Sequence, residues 1–203
     1  MGKLLDHLPD GSTPLEDESG LRLKWIKNQN QLNQVEAENI NIAYGKYLEG
    51  PKRAFPKWFT IQHIDLVHKT MFGKVWSWAG KYRKTEKSIG MPVYQIPTEL
   101  KKLEQDMEDW ERRNWDPIEI SARVHHRLVW IHPYENGNGR HGRFVGDMIL
   151  HAFKYAFPIW PKIAENGNER EVYIQALKEA DQGSFDFLMQ YLVRYGAKKL
   201  TNE

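Results

Sequence analysis

Cysteine is absent from the 203-residue sequence, and its absence excludes disulfides, thiol nucleophiles and cysteine-rich zinc sites together. No run of about 18 consecutive apolar residues occurs, so the sequence predicts no membrane-spanning helix. Residues 1–20 mix acidic side chains with proline and glycine and lack the apolar core of a signal peptide. We therefore expect a cytoplasmic protein without thiol-based redox chemistry.

A strong charge of either sign is also missing, because 29 basic residues face 27 acidic ones and leave a net charge of only +2. Proteins that bind nucleic acids usually concentrate positive charge on one surface, so no direct nucleic-acid partner is expected. The length of the chain suits one domain with a short appended arm.

Turn-forming residues punctuate the beginning of the chain, and we expect an irregular N-terminal arm over residues 1–31 and one domain over residues 32–203. Within that domain, apolar residues recur three and four positions apart, which is the spacing of one helical face. Thr60 and the pair Asp116-Pro117 mark helix starts. The sequence predicts helices over residues 32–47, 60–72, 98–114, 117–131, 140–157, 169–180 and 185–199.

Residues 76–97, here called the flap, differ from the rest of the chain. Glycine and proline alternate there with β-forming residues such as Tyr82, Val93 and Tyr94, which favours a short hairpin. The predicted fold class is therefore all-α, a helical bundle with a small β-hairpin flap.

A polar, glycine-rich connection, Glu135–Gly139, lies between two apolar helices and is here called the cradle loop. Arg140 and Arg143 follow it at the start of the next helix and share one side of that helix. Glycine lets the backbone approach a ligand closely, and the free amides and positive dipole end of a helix start attract phosphate oxygens. The pattern indicates a site for a di- or triphosphate.

His132 precedes the cradle loop, and a histidine that titrates near neutrality can accept a proton from an attacking hydroxyl. On residue types alone, an ordinary interhelical turn with a capping histidine and solvated arginines is an equally open interpretation. A zinc site is not expected, because His125, His126, His132 and His141 form no His-Glu-x-x-His pattern.

The segment His132-Pro-Tyr-Glu-Asn-Gly-Asn-Gly-Arg-His-Gly-Arg143 resembles the signature of Fic-domain (Fido) proteins, in which Gly-Asn-Gly-Arg and a second arginine follow His-Pro-Phe at the same spacing. Trp76-Ser-Trp-Ala-Gly-Lys-Tyr-Arg83 and Tyr173-Ile-Gln-Ala-Leu177 are similar to further parts of these proteins. The resemblance covers residues 32–192, and within the family it is strongest to the group called mobile mystery protein B.

The resemblance implies a protein adenylyltransferase, which moves AMP from ATP to a Ser, Thr or Tyr hydroxyl of a target protein. In such an enzyme His132 is the general base, and a small antitoxin-like protein is a plausible second partner. The implied nucleotide-binding residues are Asn136, Gly137, Asn138, Gly139, Arg140, Arg143 and Tyr173, the last beside the adenine. The flap residues implied to hold an extended target segment by strand addition are Ser88, Ile89, Gly90 and Met91.

The sequence departs from the family's signature at two positions. Tyr134 replaces phenylalanine, and its hydroxyl needs a partner. Asn136 replaces the acid that holds Mg²⁺ between the phosphates, so metal affinity is expected to fall, and Glu135 beside it is expected to point elsewhere. Three functions therefore stay open: AMP transfer with a weak Mg²⁺ site, transfer of a phosphoryl group or another nucleotide, and a non-catalytic nucleotide-binding regulator or toxin-like protein.

Many Fic proteins are inhibited by a helix glutamate that pairs with the second arginine of the signature. The nearest match is Glu38 in Gln34-Val-Glu-Ala-Glu38-Asn39, on the first predicted helix. The hypothesis is that Glu38 pairs with Arg143 and inhibits in cis, and the alternative is that Glu38 is an ordinary solvated residue.

Overall fold

The computed structural model describes residues 20–49, 59–160 and 167–200. These residues form seven α-helices, and each of the seven predicted helices has its counterpart among them. The all-α class is thereby confirmed. The helices are α1 Gln29–Tyr47, α2 Ile61–Phe72, α3 Ile96–Arg112, α4 Pro117–Ile131, α5 Asn138–Ala152, α6 Gly167–Asp181 and α7 Asp186–Arg194.

Short polar side chains begin the first, second and fourth helices by accepting hydrogen bonds from otherwise unpaired backbone amides. The Thr60 hydroxyl accepts from the amide of His63 at 3.2 Å. The Asp116 carboxylate accepts from the amide of Ile118 at 2.7 Å. Asn28 does the same for α1, which starts at Gln29, ahead of its predicted start.

A small antiparallel sheet joins β1, Tyr155–Ala156, to β2, Lys198–Lys199. The fold thus has a small β element, but it lies elsewhere than predicted, in residues expected to end two helices. The flap contains a 3₁₀ helix, Val93–Gln95, and isolated bridges rather than paired strands. The physical reason is that its backbone groups bond to the end of α4 instead of to each other: the amide of Met91 donates to the carbonyl of Ile131 at 3.2 Å.

Two clusters of buried apolar side chains form the core, one drawn mainly from α1 to α5 and one mainly from α6 and α7. Helices α4 and α5 contribute to both clusters and pack directly on each other. Gly146 of α5 allows this close approach, since a Cβ there would lie 3.0 Å from the hydroxyl of Ser121. The cradle loop connects these two helices and is therefore anchored in the core at both ends.

Residues 20–28 have irregular backbone and pack on the helices. Leu21 forms a bridge with Trp76, and Ile26 is buried in the first core cluster. The prediction for residues 1–19 lies outside the described part of the chain. None of the helices in the described ranges combines the length and the apolar character that crossing a bilayer requires.

Candidate functional site

His132 ends α4 in the left-handed conformation, with φ 53° and ψ 57°. Its side chain is buried, and the Nδ1 atom lies 3.3 Å from the carbonyl oxygen of Val129. A carbonyl oxygen can only accept, so Nδ1 carries the proton and Nε2 presents a lone pair. Nε2 is itself buried and has no hydrogen-bond partner among the described residues.

The surroundings of His132 keep the imidazole neutral. Burial lowers the pKa of His132 to about 4, the hydrogen bond to Val129 acts in the opposite direction, and the positive charges of Arg83 and Lys87 lower the pKa further. This pKa is lower than the near-neutral value expected from the sequence, because burial disfavours the charged ring. At neutral pH the ring is an uncharged proton acceptor with a free Nε2.

The flap lies directly on His132. Gly90 has φ +94°, and a Cβ built on it would stand 2.4 Å from the Cβ of His132. Ser88, Ile89 and Gly90 are exposed, while Met91 is half-buried. The structure thus brings two of the four predicted flap residues, Gly90 and Met91, next to the end of α4 that carries the predicted base.

The cradle loop is held from inside by its own side chains. The Asn138 amide group accepts from the backbone amide of Tyr134 at 2.9 Å and donates to the Tyr134 carbonyl at 2.8 Å. Gly137 has φ +79°, and a Cβ on it would be 2.7 Å from the ring of Phe72. No side chain caps the start of α5, so its first amides are available to an anion.

Tyr134 is fully buried under the cradle loop, and its hydroxyl has found the partner it needs. The hydroxyl donates to the Asp65 carboxylate at 2.7 Å, and Tyr82 donates to the other oxygen at 3.1 Å. The ring stacks on His68 with centroids 3.7 Å apart, and Nε2 of His68 lies 3.1 Å from the Asn136 carbonyl. The replacement of phenylalanine is thus accommodated by a buried polar network.

The two signature arginines have different neighbours. Arg140 forms an ion pair of 2.6 Å with Glu36 of α1, whose other oxygen accepts from the indole of Trp76 at 2.7 Å. Arg143 lies over the rings of Trp160 and Tyr173, at 5.6 and 5.7 Å from their centroids. One arginine is thus neutralised by a carboxylate, while the other rests on aromatic faces.

Two predicted site residues, Glu38 and Tyr173, make other contacts in this structure than their expected roles require. Glu38 is exposed and bonds to Gln34 at 3.3 Å, so the structure does not bring it to Arg143. The ion pair between α1 and the signature is instead Glu36–Arg140. Tyr173 is 4% exposed and its hydroxyl lies 2.7 Å from Nε2 of His125, so the ring has to be uncovered before it can contact a base.

Sequence reasoning missed Asp147, which is buried one helical turn after Arg143. The indole of Trp160 donates to both of its oxygens at 3.1 Å, and the Tyr44 hydroxyl donates to one of them at 3.3 Å. Burial raises the pKa of Asp147 to about 8, against the effects of Trp160, Tyr44 and Arg143. A lone acid in the apolar run Phe144–Leu150 was the available signal.

The residues around Asn136 do not form a Mg²⁺ site. The Asn136 side-chain oxygen accepts from the amide of Gly137 at 2.6 Å, and Glu135 is paired with Lys87 at 2.6 Å. Within residues 20–49, 59–160 and 167–200 no three metal-binding side chains come together. The carboxylate of the loop, that of Glu135, is thus engaged by a lysine, and Asn136 offers only a neutral amide oxygen in place of the carboxylate that Mg²⁺ prefers.

Comparison with known proteins gives the same picture of the fold. The model of the Fic/DOC family matches residues 58–150. The "Protein adenylyltransferase Fic" proteins of Nematostella vectensis and Drosophila willistoni are 29% and 30% identical over 140 and 146 residues. These alignments cover 66% and 70% of this chain, but only 32% and 28% of the relatives, so the chain spans about a third of their length.

Solved structures are similar over most of the chain. Fic-1 (aa134–508) from C. elegans has a TM-score of 0.67 and 23% identity, covering 88% of this chain and 52% of that one. The BepC protein of Bartonella tribocorum, solved with bound AMPPNP, has a TM-score of 0.68 and 21% identity, covering 96% and 97%. At these identities the likeness establishes the fold.

Proposed function

We propose, from the premise that this chain belongs to the Fic/DOC family, that it is a protein adenylyltransferase, moving AMP from ATP to a Ser, Thr or Tyr hydroxyl of a target protein. The observation that supports this most is the state of His132, a neutral imidazole whose Nε2 is free. His132 lies just before the cradle loop, which leads into the uncapped start of α5. A proton acceptor beside an anion site is what such a transfer needs.

In the proposed reaction, Nε2 of His132 takes the proton of the target hydroxyl. The hydroxyl oxygen forms a bond to the α-phosphorus of ATP, the bond between that phosphorus and the bridging oxygen breaks, and pyrophosphate leaves. The Nδ1–H group of His132 donates to the carbonyl of Val129, and this hydrogen bond fixes the tautomer in which Nε2 accepts a proton.

The start of α5 and the two arginines form the proposed triphosphate site. Asn138 and Gly139 offer backbone amides to the α- and β-phosphates, and the amide of Gly137 joins them once it leaves the Asn136 oxygen. Arg140 and Arg143 bind the outer phosphates. Arg140 has to exchange its partner Glu36 for phosphate oxygens. Tyr173 beside the adenine remains part of this proposal and requires movement of the side chains that bury it.

The flap is the proposed docking site for the target. Ser88 to Gly90 are exposed and Gly90 lies against His132, so an extended target segment paired with this backbone would pass close to the base. ATP is the proposed co-substrate, and Mg²⁺ enters only as a weakly held ion, since no carboxylate is placed for it in the cradle loop. A cytoplasmic site of action and an antitoxin-like partner belong to the same proposal.

A second candidate function is a nucleotide-binding regulator without transfer activity. Two observations favour it: the Asn136 oxygen is engaged within the loop, and Glu36 neutralises Arg140. Such a protein would bind ATP through the same amides and change its contacts with a partner.

Radioactive transfer separates these functions. The purified protein and host lysate are incubated with α-labelled or γ-labelled ATP, with Mg²⁺ or EDTA. His132→Ala is expected to lose α-label incorporation by about 10²- to 10⁴-fold, as for loss of a general base. His126→Ala is the matched control, because that ring bonds to Asp181 on α6 at 2.8 Å.

Each label pattern decides between the functions. Label from the α-position that depends on His132 supports AMP transfer. Label from the γ-position alone indicates that the protein transfers a phosphoryl group instead of AMP. Nucleotide binding without incorporation of label in any condition favours the regulator.

A further inference from the structure

Arg83 lies between α2 and α3, in the flap, and its side chain is completely buried. Nothing in the proposed reaction uses it, since its guanidinium contacts neither the cradle loop nor the start of α5 in any described hydrogen bond. Burying an arginine costs free energy unless its N–H groups form hydrogen bonds, so the partners of Arg83 indicate its role.

The partners include the backbone around the base. Arg83 Nε donates to the carbonyl of His132 at 2.8 Å, and the Arg83 amide donates to the carbonyl of Pro133 at 2.9 Å. The carbonyl of Ile131 accepts from Met91 at 3.2 Å. Three successive carbonyls at the end of α4 are thus all taken by the flap.

The remaining donors of Arg83 hold the flap itself. One terminal nitrogen donates to the Thr85 carbonyl at 2.9 Å, and the other donates to the Met91 carbonyl. A single planar guanidinium therefore bonds to the backbone of His132 and to two flap residues, Thr85 and Met91. Lysine has one point charge and cannot reproduce this fork of fixed donors.

The backbone of His132 needs such support. A residue with a Cβ in the left-handed region pays roughly 1–2 kcal/mol, and the conformation persists only where neighbours impose it. The position of the His132 side chain depends on this left-handed turn, so any relaxation of the turn moves the base.

We infer that Arg83 is a positioning residue for the base: its guanidinium holds the left-handed His132 and the flap in register, so that Nε2 is presented to a hydroxyl held by the flap. This inference rests on the proposed function for its catalytic consequence. Its structural content, the orientation and tautomer of His132, is independent of that function.

Charge provides a readout that loss of folding alone would not produce. The charged groups near His132 are Arg83 and Lys87, which lower its pKa, with Glu86 and Glu135 as their respective partners. Removing the Arg83 charge therefore raises the pKa of His132, whereas Arg83→Lys retains the charge and loses only the fork.

The experiment compares Arg83→Gln and Arg83→Lys with Lys74→Gln, an exposed lysine that lies before the flap. Both Arg83 variants are expected to lower kcat for transfer by about 10²-fold, as misplacement of a reacting group does, with KM for ATP within about 3-fold of wild type. Lys74→Gln leaves kcat unchanged. Thermal melts establish that each variant is folded, and Arg83→Lys serves if Arg83→Gln is not.

NMR of the His132 imidazole nitrogens gives the second measurement, in the full chain and without substrate. Wild type is expected to be protonated at Nδ1, and both Arg83 variants to show a mixture of tautomers, with a raised pKa in Arg83→Gln only. If wild type has no transferase activity but the tautomer shifts, the proposed function fails and the positioning role stands. A folded Arg83→Lys with the wild-type tautomer and kcat overturns the inference.

Discussion

The two regions that flank the cradle loop are held by different kinds of contact. On the base side, which consists of His132, Arg83, Gly90 and Met91, the hydrogen bonds run to backbone carbonyls. On the arginine side, which consists of Arg140, Arg143, Glu36, Asp147 and Trp160, side chains hold other side chains. A group tied to backbone has one position, whereas a group tied to a side chain can exchange partners.

That difference suits the proposed division of labour. A proton acceptor must stay in place throughout the reaction, and the base side supplies this rigidity. The nucleotide phosphates, by contrast, bind and leave. On the arginine side, Arg140 is paired with a carboxylate and Arg143 lies over aromatic rings, and phosphate oxygens can take the place of these partners. The comparison therefore predicts that small backbone changes damage the base side, while charge changes tune the arginine side.

Gly90→Ala is the strongest way to test the base side. The new methyl group would overlap His132 and strain a backbone with φ +94°, so the flap and the base cannot both keep their positions. We expect kcat for transfer to fall by about 10²-fold. The measurement is transfer from α-labelled ATP alongside a thermal melt.

Gly183→Ala is the matched control for that change. Gly183 has φ +92°, but among the described residues no atom beyond its own chain neighbours lies within 4 Å of its Cβ position, so the substitution brings similar backbone strain without the contact. It should lower the melting temperature while leaving kcat intact. Equal losses of activity in the two variants would mean that strain, not contact with His132, sets the effect.

Glu36→Gln tests whether the arginine side can exchange partners. Glutamine retains an oxygen for the Trp76 indole but releases Arg140 from its ion pair. A partly exposed ion pair is worth up to about 1 kcal/mol, so ATP affinity is expected to rise by about 5-fold. Isothermal titration with ATP measures this change.

Glu38→Gln is the control for Glu36→Gln, because Glu38 is exposed on the same helix and bonds only locally to Gln34. It should bind ATP as wild type does. A rise in affinity with Glu38→Gln instead would restore the hypothesis that Glu38 is the inhibitory glutamate.

The helices and the cradle loop could be predicted because their signals are local. Caps such as Thr60 and Asp116 act within three residues, and apolar spacing defines each buried face. The Glu36–Arg140 pair joins residues 104 positions apart, beyond the reach of such signals. One sign was present: Glu36 is four residues after Leu32 and three before Asn39, both on the buried face of α1, whereas Glu38 is not on that face.

Arg83 was not predictable as a site residue, for a different reason. Its partners are the backbone carbonyls of residues 85, 91 and 132, and a carbonyl leaves no mark in the sequence. The prediction of a β-hairpin in the flap was wrong for a similar reason, because the backbone of the flap forms its hydrogen bonds with the end of α4. Local β propensity cannot reveal which distant segment takes the hydrogen bonds.

The dependence of stability on pH has opposite signs on the two sides. The folded pKa of His132, about 4, lies below the ordinary 6.5, so unfolding takes up a proton between these values. The stability that the neutral ring contributes is complete above pH 6.5 and is lost as the pH falls toward 4. Asp147 behaves in reverse: its folded pKa, about 8, exceeds 3.8, so its contribution is complete below pH 3.8 and is lost as the pH rises through 8.

Urea unfolding of His132→Asn and Asp147→Asn between pH 4 and 8 separates the two contributions. Asparagine tolerates the left-handed conformation at 132 and matches the shape of aspartate at 147. Relative to wild type, His132→Asn should remove up to about 1.4 kcal/mol per pH unit of the decline that occurs as the pH falls from 6.5 to 4. Asp147→Asn should remove a decline of similar slope that occurs as the pH rises from 4 to 8. Because His68, His125 and His141 are also buried with lowered pKa values and persist in both variants, only differences from wild type are diagnostic. If both variants change the slope of unfolding free energy against pH in the same direction, the surroundings of His132 and Asp147 do not affect stability with opposite signs.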